Sequence, residues 1–288
     1  MGYITKLDLG ISCGFGSQMG QYASMFAIAK QSNNIPILVQ ETFTNSPFGL
    51  LISEPFKIKP KIMTANDLKN ESFHKIKPQL PKGILIGEID SSLYTLPSDK
   101  NYIIHEDIGF WEYHAPFKQD ILNLFVFEDD IQNRCREYLN THNPNNDITV
   151  SIGFRREDGG GASLVLSADY YSAAIDTIQK TFPNKTIKFF VFSGAPFDYN
   201  NGWDWIQNNV KIENAVYVQN MDKFSQMCLM TMCNHNIIAN SSFSWWGGYL
   251  NTNKDKKVIC PFNYLKDPRF DYINGRYYPK EWLSLKID

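Results

Sequence analysis

The segment DITVSIGFRRED, residues 147 to 158, joins a short apolar strand directly to two adjacent arginines. After this segment, short apolar runs alternate with segments that have helical periodicity. The helix-like segments are 167–182, 223–234 and 241–251, and the strand-like segments are 187–194, 236–240 and 257–261. Short apolar strands that alternate with helices are typical of a parallel sheet covered on both faces, so we predict an α/β fold for this half of the chain.

The first half of the chain also opens with a strand, a helix and a strand. A strand from Tyr3 to Ile11 leads through a glycine-rich turn to the helix-like segment 18–31, and IPILVQ, residues 35–40, follows as the second strand. Further strands are predicted at 82–89 and 100–106, within a stretch that is otherwise irregular and rich in proline. This half is therefore predicted to be α/β as well.

The segment THNPNND, residues 141–147, is the clearest linker, because Pro, Asn and Asp favour turns and solvated loops. It divides the chain into two predicted domains, residues 1–140 and 141–288.

Composition excludes several classes of protein. The chain has 288 residues, of which 43% are hydrophobic and 20% charged, as in globular proteins. Its net charge of −2 lacks the basic excess that binding to nucleic acid requires. No apolar run approaches the roughly 18 residues of a membrane span. The five cysteines lack CxxC spacing, which argues against a disulfide framework or a zinc cluster and favours a cytoplasmic protein.

Polar side chains follow three of the predicted strands. Arg155 and Arg156 follow the first strand, and Ser193 follows the second. After the third strand come Asn240, Ser241, Ser242 and Ser244. Ligands of parallel sheets bind beyond the carboxyl ends of the strands, so these residues are expected to share one crevice. Guanidinium, hydroxyl and backbone N–H donors at a helix start predict a diphosphate site. The alternative is that the arginines pair with Glu157, Asp158 or other surface carboxylates.

Four segments carry a resemblance to a known family. NHNIIANSSFSWWGGYLN, residues 234–251, closely resembles the signature of bacterial α-1,2-fucosyltransferases of glycosyltransferase family 11. CGFGSQMGQYA (13–23) is similar to the N-terminal motif of that family, and VSIGFRREDG (150–159) is similar to its arginine motif. DIGFWEYHAPF (107–117) resembles a third family segment, so the resemblance spans most of the chain.

The resemblance implies a GT-B-like fold of two Rossmann-like domains with a donor cleft between them. The N-terminal domain is then the acceptor side, and the C-terminal domain binds the nucleotide sugar. The implied reaction transfers L-fucose from GDP-fucose to a galactoside in a surface glycan, with inversion and without a metal or other cofactor. The absence of a DxD-like carboxylate pair after a strand of the second half agrees with the last point. The implied acceptor is an oligosaccharide or a lipid-linked glycan, with peripheral contact at the inner face of the inner membrane as a further expectation.

The resemblance and the residues together suggest roles within the site. Arg156 is the predicted principal ligand of the diphosphate, with Arg155 as its neighbour. Asp158 and Glu112 are the two candidates for the base that removes the proton of the acceptor hydroxyl. Asp158 has the alternative role of holding Arg156 in place, and Glu112 that of binding acceptor hydroxyls. Four residues of the N-terminal motif are predicted to bind the donor: Gly14, Gly16, Ser17 and Gln18.

Further predictions concern three residues of the N-terminal motif. Gln18 and Gln21 have helical i,i+3 spacing, so both are expected to face the cleft. Gly20 replaces a family Phe and is expected to leave space near a bound sugar.

This chain departs from the family at the positions associated with recognition of guanine. Gly153 stands where the motif has a histidine, and Gly194 and Ala195 stand where the family often has carboxylates. Three explanations are open. The base is read by backbone carbonyls or by a displaced carboxylate such as Asp198, the donor is a different nucleotide sugar, or the protein binds without catalysis.

Overall fold

The structure is a computed structural model of the whole chain. It describes residues 1–9, 14–44, 46, 48–78, 89–105, 108–156, 165–193, 202–263 and 277–287. The chain divides into two compact units, Met1–Phe127 and Glu128–Asp288.

The first unit contains short strands and one long helix. Its strands are β1 (Tyr3–Thr5), β2 (Ile35–Pro36), β3 (Leu38–Val39), β4 (Ile62–Met63), β5 (Phe73–Ile76) and β6 (Asn101–Ile104). Its α-helices are α1 (Phe15–Gln31), α2 (Glu41–Thr44), α3 (Trp111–His114) and α4 (Lys118–Leu124), and single 3₁₀ turns span Leu51–Ser53, Ser91–Thr95 and Ala115–Phe117. The strands form a four-stranded sheet in the order β2-β1-β6-β5 and a separate pair, β3-β4, and every pairing is parallel.

The second unit contains a larger parallel sheet. Its strands are β7 (Ile148–Gly153), β8 (Ile187–Phe192), β9 (Ala215–Tyr217), β10 (His235–Ile237), β11 (Val258–Pro261) and β12 (Leu283–Leu285). Its helices are α5 (Asp129–His142), α6 (Ala168–Thr181), α7 (Gly202–Asn209), α8 (Lys223–Met232) and α9 (Ser242–Tyr249). The strand order is β12-β11-β10-β7-β8-β9, which places β7, the strand that precedes the arginines, between two partners.

The central strands of the second unit are buried on both faces, as their continuous apolar sequence predicts. Residues 149–153 of β7 are all buried, and so are residues 189–192 of β8. Helices α6, α8 and α9 begin at side-chain caps. Ser167 caps α6 and Asp222 caps α8, each accepting hydrogen bonds from backbone N–H groups of the first turn. The α/β fold and the parallel sheet of the second half are therefore confirmed.

The boundary between the two units lies after Phe127, one helix before the predicted linker. Helix α5 precedes that linker in sequence but packs on α8 within the second unit. Cys135 donates to the carbonyl of Ser225 at 3.2 Å, and Arg134 donates to the hydroxyl of the same serine at 3.3 Å. The linker composition marks where α5 ends, whereas tertiary packing decides to which unit this helix belongs.

Some predicted elements in the first unit have different bounds. The first strand ends at Thr5 rather than at Ile11. Helix α1 begins at Phe15, before the predicted start at Gln18. The predicted strand at 82–89 lies almost entirely outside the described residues. Among the residues described, no helix is long and apolar enough to cross a membrane.

Candidate active site

The two adjacent arginines lie at the carboxyl end of β7 and contact different neighbours. Arg155 donates from Nη1 to the carbonyl of Asn240 at 2.6 Å, so it is tied to the segment that follows β10. Arg156 donates from Nη1 to the carbonyl of Leu166 at 3.2 Å, and its guanidinium carbon lies 3.4 Å from the ring centroid of Trp205 on α7. Both side chains are half-buried. The backbone and the indole fix their positions and leave two cationic groups at this edge of the sheet.

Asn240 is a fully buried residue with an unused donor. Its backbone carbonyl accepts from Arg155, and its Oδ1 accepts from the Tyr278 hydroxyl at 3.0 Å. Its Nδ2 has no hydrogen-bond partner within the described part of the chain. A buried unsatisfied donor costs about 1–3 kcal/mol, so such groups are usually paired, with protein or with a ligand. In this orientation of the amide, the Tyr278 hydroxyl donates to Oδ1 and Nδ2 is available to an acceptor oxygen.

Ser193 is a second buried donor at the same edge of the sheet. It directly follows Phe192, which pairs with Gly153 across β7 and β8. The residue is 8% exposed, and its Oγ has no hydrogen-bond partner among the described residues. The predicted convergence of residues after β7, β8 and β10 is thus present in the sheet register.

The serines around the start of α9 have different local roles. Ser241 is the N-cap of α9, and its hydroxyl accepts from the backbone N–H of Phe243. Ser244 is buried, and its hydroxyl accepts from the N–H of Ala239 at 3.2 Å, which holds the turn between β10 and α9. Ser242 is half-buried at the first helical position. The positive end of the α9 dipole adds to the field of Arg155, which contacts the neighbouring Asn240.

Gly153 is explained by close packing between β7 and α9. A Cβ atom at this position would lie 2.8 Å from the Cβ of Ser244, a distance that real Cβ atoms essentially never show. Any larger side chain, including the histidine of the family motif, begins with the same Cβ atom. Glycine in place of that histidine therefore allows α9 to lie closer to β7 than any residue with a Cβ atom would permit.

We expect Gly153→Ala to lower the free energy of unfolding by about 1–3 kcal/mol, because the Ser244 Cβ cannot move without its backbone. Gly14→Ala is the comparison variant, since a Cβ at Gly14 meets nothing within 4 Å and the φ of Gly14 is −69°. Because Gly14 is the N-cap of α1, we expect a smaller loss of about 0.5–1 kcal/mol for this variant. Urea denaturation of both variants measures the difference. Equal stabilities of Gly153→Ala and wild type would show that β7 and α9 are not in close contact.

The N-terminal motif residues lie at the start of α1 in the first unit. Gly14 is the N-cap of this helix, and Gly16, Ser17 and Gln18 lie in its first turn. Gln18 is fully buried. Its Nε2 donates to the carbonyl of Gly49 at 2.8 Å, and its Oε1 accepts from the N–H of Leu51 at 2.9 Å. The amide of Gln18 thus anchors the 49–51 segment, and direct contact of these residues with a donor stays a prediction.

Gln21 and Gly20 contact the segment that leads into α3. Gln21 Oε1 accepts from the N–H of Ile108 at 3.1 Å. A Cβ at Gly20 would lie 3.3 Å from the carbonyl oxygen of Gly109. The space beside Gly20 is therefore occupied by the protein backbone, and the expectation that it leaves room for a sugar is wrong.

Glu112 lies in the first turn of α3 and is half-buried. Burial raises the pKa of its carboxyl group from 4.5 to about 7. A carboxyl group with a pKa near the working pH can accept a proton and later release it, as a general base must. His114, two residues further, is 1% exposed, and burial lowers the pKa of its imidazole to about 3. The imidazole of His114 is therefore neutral near pH 7, whereas the carboxyl group of Glu112 titrates near this pH.

Several predicted residues lie outside the described residues. These are Glu157, Asp158, Gly194, Ala195 and Asp198. The roles of Asp158 as base or as partner of Arg156 stay predictions. Within the described ranges, no group of three or more His, Cys, Asp or Glu side chains is placed to hold a metal ion.

Two residues of the second-unit site were not predicted. Trp205 stacks on Arg156, and Tyr278 donates to Asn240 Oδ1. Neither follows a strand or belongs to a motif, and each comes from a segment far from its partner in sequence. The tandem tryptophans Trp245 and Trp246 are buried and pack on each other, so they contribute to the core around α9.

Comparison with known proteins identifies the family. The model of the family described as glycosyl transferase family 11 matches residues 3–286. This chain belongs to glycosyltransferase family 11.

Curated relatives of this family 11 chain are glycosyltransferases. An Escherichia coli O-antigen biosynthesis glycosyltransferase, WbnK, is 26% identical over 295 residues, covering 87% of this chain and 92% of the relative. An alpha-1,2-colitosyltransferase from Escherichia coli is 25% identical, covering 63% of this chain and 62% of the relative. The galactoside alpha-(1,2)-fucosyltransferase 2 of Gorilla gorilla gorilla is 21% identical over 95% of this chain and 77% of the relative.

Solved fucosyltransferases share the fold of the family 11 chain. A mutant of Arabidopsis thaliana FUT1 in complex with GDP has a TM-score of 0.54 at 12% identity, covering 93% of this chain and 72% of that one. POFUT1 in complex with GDP-fucose has a TM-score of 0.52 at 10% identity, covering 89% and 98%. The fold is therefore GT-B-like, with two Rossmann-like α/β units. The chain is a glycosyltransferase of the fucosyltransferase type.

Proposed function

We propose that this family 11 enzyme transfers L-fucose from GDP-fucose to a galactoside hydroxyl in a surface glycan, with inversion and without a metal. The observation that carries the proposal is the fixed pair of arginines beside Asn240 Nδ2 and Ser193 Oγ, two donors that have no partner among the described residues. This set of groups suits a diphosphate, whose oxygens only accept hydrogen bonds.

In this mechanism, Arg155 and Arg156 stabilise the leaving group. The bond between the anomeric carbon and the diphosphate oxygen breaks, and its electron pair stays on that oxygen. Two guanidinium groups held by backbone carbonyls and an indole are preorganised for this charge, so little reorganisation is needed as it develops. Their cationic charge takes the role that a metal ion has in metal-dependent transferases.

Glu112 is the general base of the proposed reaction. The acceptor oxygen forms the new bond to the anomeric carbon, and its proton goes to the Glu112 carboxylate. The raised pKa of about 7 makes this carboxylate a stronger base than a solvated one.

A different nucleotide-sugar donor is the second candidate. Gly153 packs against Ser244, which leaves no room for a side chain that reads the base from this position. One relative of this chain is named alpha-1,2-colitosyltransferase, and this name supports a donor whose sugar is not fucose. The phosphate-side chemistry is the same for both candidates, so only the donor distinguishes them.

A two-stage experiment tests the proposal. Thermal denaturation with GDP, UDP, CDP and dTDP identifies the nucleotide, because a ligand that binds only the folded state raises the melting temperature. Transfer of labelled sugar from GDP-fucose, and from other donors of the same nucleotide, to a galactoside then identifies the sugar. We expect GDP to stabilise and fucose to be transferred. A response to UDP alone excludes GDP-fucose, and nucleotide binding without transfer from any donor excludes the proposed transfer to a galactoside.

A further inference from the structure

Tyr171 is a buried residue of α6 that the proposed mechanism does not use. It lies in the first turn of this helix and is 0% exposed. Its hydroxyl has no hydrogen-bond partner within the part of the chain that the structure describes. A buried hydroxyl without a partner is costly, so such groups are usually paired with protein, water or a ligand. The surroundings of Tyr171 indicate which of these partners it has.

The ring of Tyr171 lies beside the end of β7. It stacks on Phe154, with the two ring centroids 3.9 Å apart, and Phe154 directly precedes the two arginines. The start of α6 lies at the same place, because Arg156 donates to the carbonyl of Leu166, the residue before the Ser167 cap. Tyr171 is therefore at the carboxyl edge of the second-unit sheet, where parallel sheets bind their ligands.

The hydroxyls of Tyr171 and Ser193 lie on the same face of this sheet. The N–H of Phe154 donates to the carbonyl of Phe192 at 2.8 Å, which continues the pairing of β7 with β8 and places Ser193 opposite Phe154. Opposed side chains on neighbouring strands lie on one face of a sheet, and Tyr171 covers Phe154 on that face. Neither hydroxyl has a partner among the residues described.

The hydroxyl of Tyr171 stays protonated and is therefore a hydrogen-bond donor. Burial raises its pKa well above the usual value of 10.0. The backbone N–H of Arg155 and the charge of Arg156 act on this pKa in the opposite direction, so both lie near the phenol oxygen. Both groups are donors as well, and neither can accept the proton of the hydroxyl. This proton therefore needs an acceptor that is stable beside positive charge.

We propose that the Tyr171 hydroxyl donates a hydrogen bond to an oxygen of the nucleotide diphosphate. Diphosphate oxygens only accept hydrogen bonds, and Arg155 and Arg156 supply the positive charge at the same edge of the sheet. In the free protein this hydroxyl is buried without an acceptor, and the bound nucleotide provides one. The inference rests on the proposed function as far as the donor is a nucleoside diphosphate sugar, and it does not depend on which base or sugar the donor carries.

Tyr171→Phe tests this proposal, because it removes the hydroxyl and keeps the ring on Phe154. Isothermal calorimetry on the full chain measures binding of GDP, UDP and inorganic pyrophosphate, the last of which has no base or sugar. We expect the variant to bind GDP and pyrophosphate about 10- to 100-fold more weakly than wild type, since a hydrogen bond to a charged oxygen is lost. Without ligand, its melting temperature should rise by about 2–4 °C, because the buried hydroxyl without an acceptor is gone.

Tyr170→Phe is the matched control. Tyr170 precedes Tyr171 on the same helix and is also buried, but its hydroxyl donates to the carbonyl of Ile238 at 2.7 Å. Loss of a bond that exists within the protein should lower the melting temperature by about 2–4 °C and leave nucleotide affinity unchanged. The two variants thus differ in the sign of the stability change as well as in affinity, and a merely structural role of Tyr171 would give both variants the same result.

The outcomes separate this inference from the proposed function. Equal affinities of wild type and Tyr171→Phe for GDP and pyrophosphate would overturn the inference and leave the proposed donor intact. A lower melting temperature in Tyr171→Phe would also overturn it, since the hydroxyl would then have a partner within the protein. If wild type binds UDP but not GDP, the proposed donor is wrong, and the comparison of the variants is made with UDP. If wild type binds none of the three ligands, both proposals are wrong.

Discussion

Replacement of Arg156 by alanine is expected to lower kcat by about 100- to 1000-fold, the cost of removing one donor that stabilises charge in the transition state. The guanidinium of Arg156 is held between the carbonyl of Leu166 and the indole of Trp205. Alanine removes the charge and leaves the stacking surface empty. Initial rates of sugar transfer at saturating donor measure the change.

The lysine variant separates charge from geometry at this position. Arg156→Lys keeps the positive charge but loses the planar fork and its stacking on the indole, so we expect an intermediate loss of roughly 10-fold. Arg136→Ala is the control, because Arg136 is exposed on α5 and contacts Gln132 and Asn133. Near-wild-type rates in Arg156→Ala would show that other residues stabilise the leaving group.

Four strands of the second unit, β7, β8, β10 and β11, were predictable because they are buried on both faces. A strand such as β7 needs a continuous apolar run, and such a run is visible in the sequence. Strand β12 was not predicted, since its three residues are exposed or half-buried and have no such run. Helix α7 and strand β9 were also missed, because both are short and β9 is only half-buried.

The candidate site was predictable only where topology alone places the residues. Arg155, Ser193 and Asn240 follow neighbouring parallel strands, so the strand order brings them to one edge. The contact of Arg156 with Trp205 and the packing of Gly153 on Ser244 depend on side-chain positions that no spacing predicts. The raised pKa of Glu112 depends on burial, which is a property of the folded chain.

Replacement of Glu112 by glutamine is expected to abolish most activity and to stabilise the protein at alkaline pH. Loss of a general base typically costs about 100- to 10,000-fold in rate. In wild type, kcat/KM should rise with pH, because only the carboxylate form of Glu112 accepts the proton. The apparent pKa of this rise should be that of the Glu112 carboxyl group, about 7. Glu137→Gln, on the exposed face of α5, is the control and should leave both rate and pH profile unchanged.

The effect of Glu112 on stability has the opposite sign to its effect on activity. Its pKa is about 7 in the folded state and 4.5 in the reference state, so between these values the folded protein binds more protons. Its contribution to stability is therefore fully present below pH 4.5 and is lost as pH rises through about 7. Glu112→Gln should match wild type at low pH and exceed it by about 1–3 kcal/mol at high pH, since a neutral amide is cheaper to bury than a carboxylate.

His114 opposes Glu112 between pH 4.5 and 6.5, because its pKa falls from 6.5 to about 3 on folding. Its contribution is present above pH 6.5 and is lost as the pH falls towards 3. The slopes of the two groups, each about 1 kcal/mol per pH unit, cancel in wild type and leave only that of His114 in Glu112→Gln. Urea denaturation across this range should therefore show the variant losing stability on acidification faster than wild type. Parallel curves for the two proteins would show that Glu112 is solvated and would remove the physical basis for its role as a base.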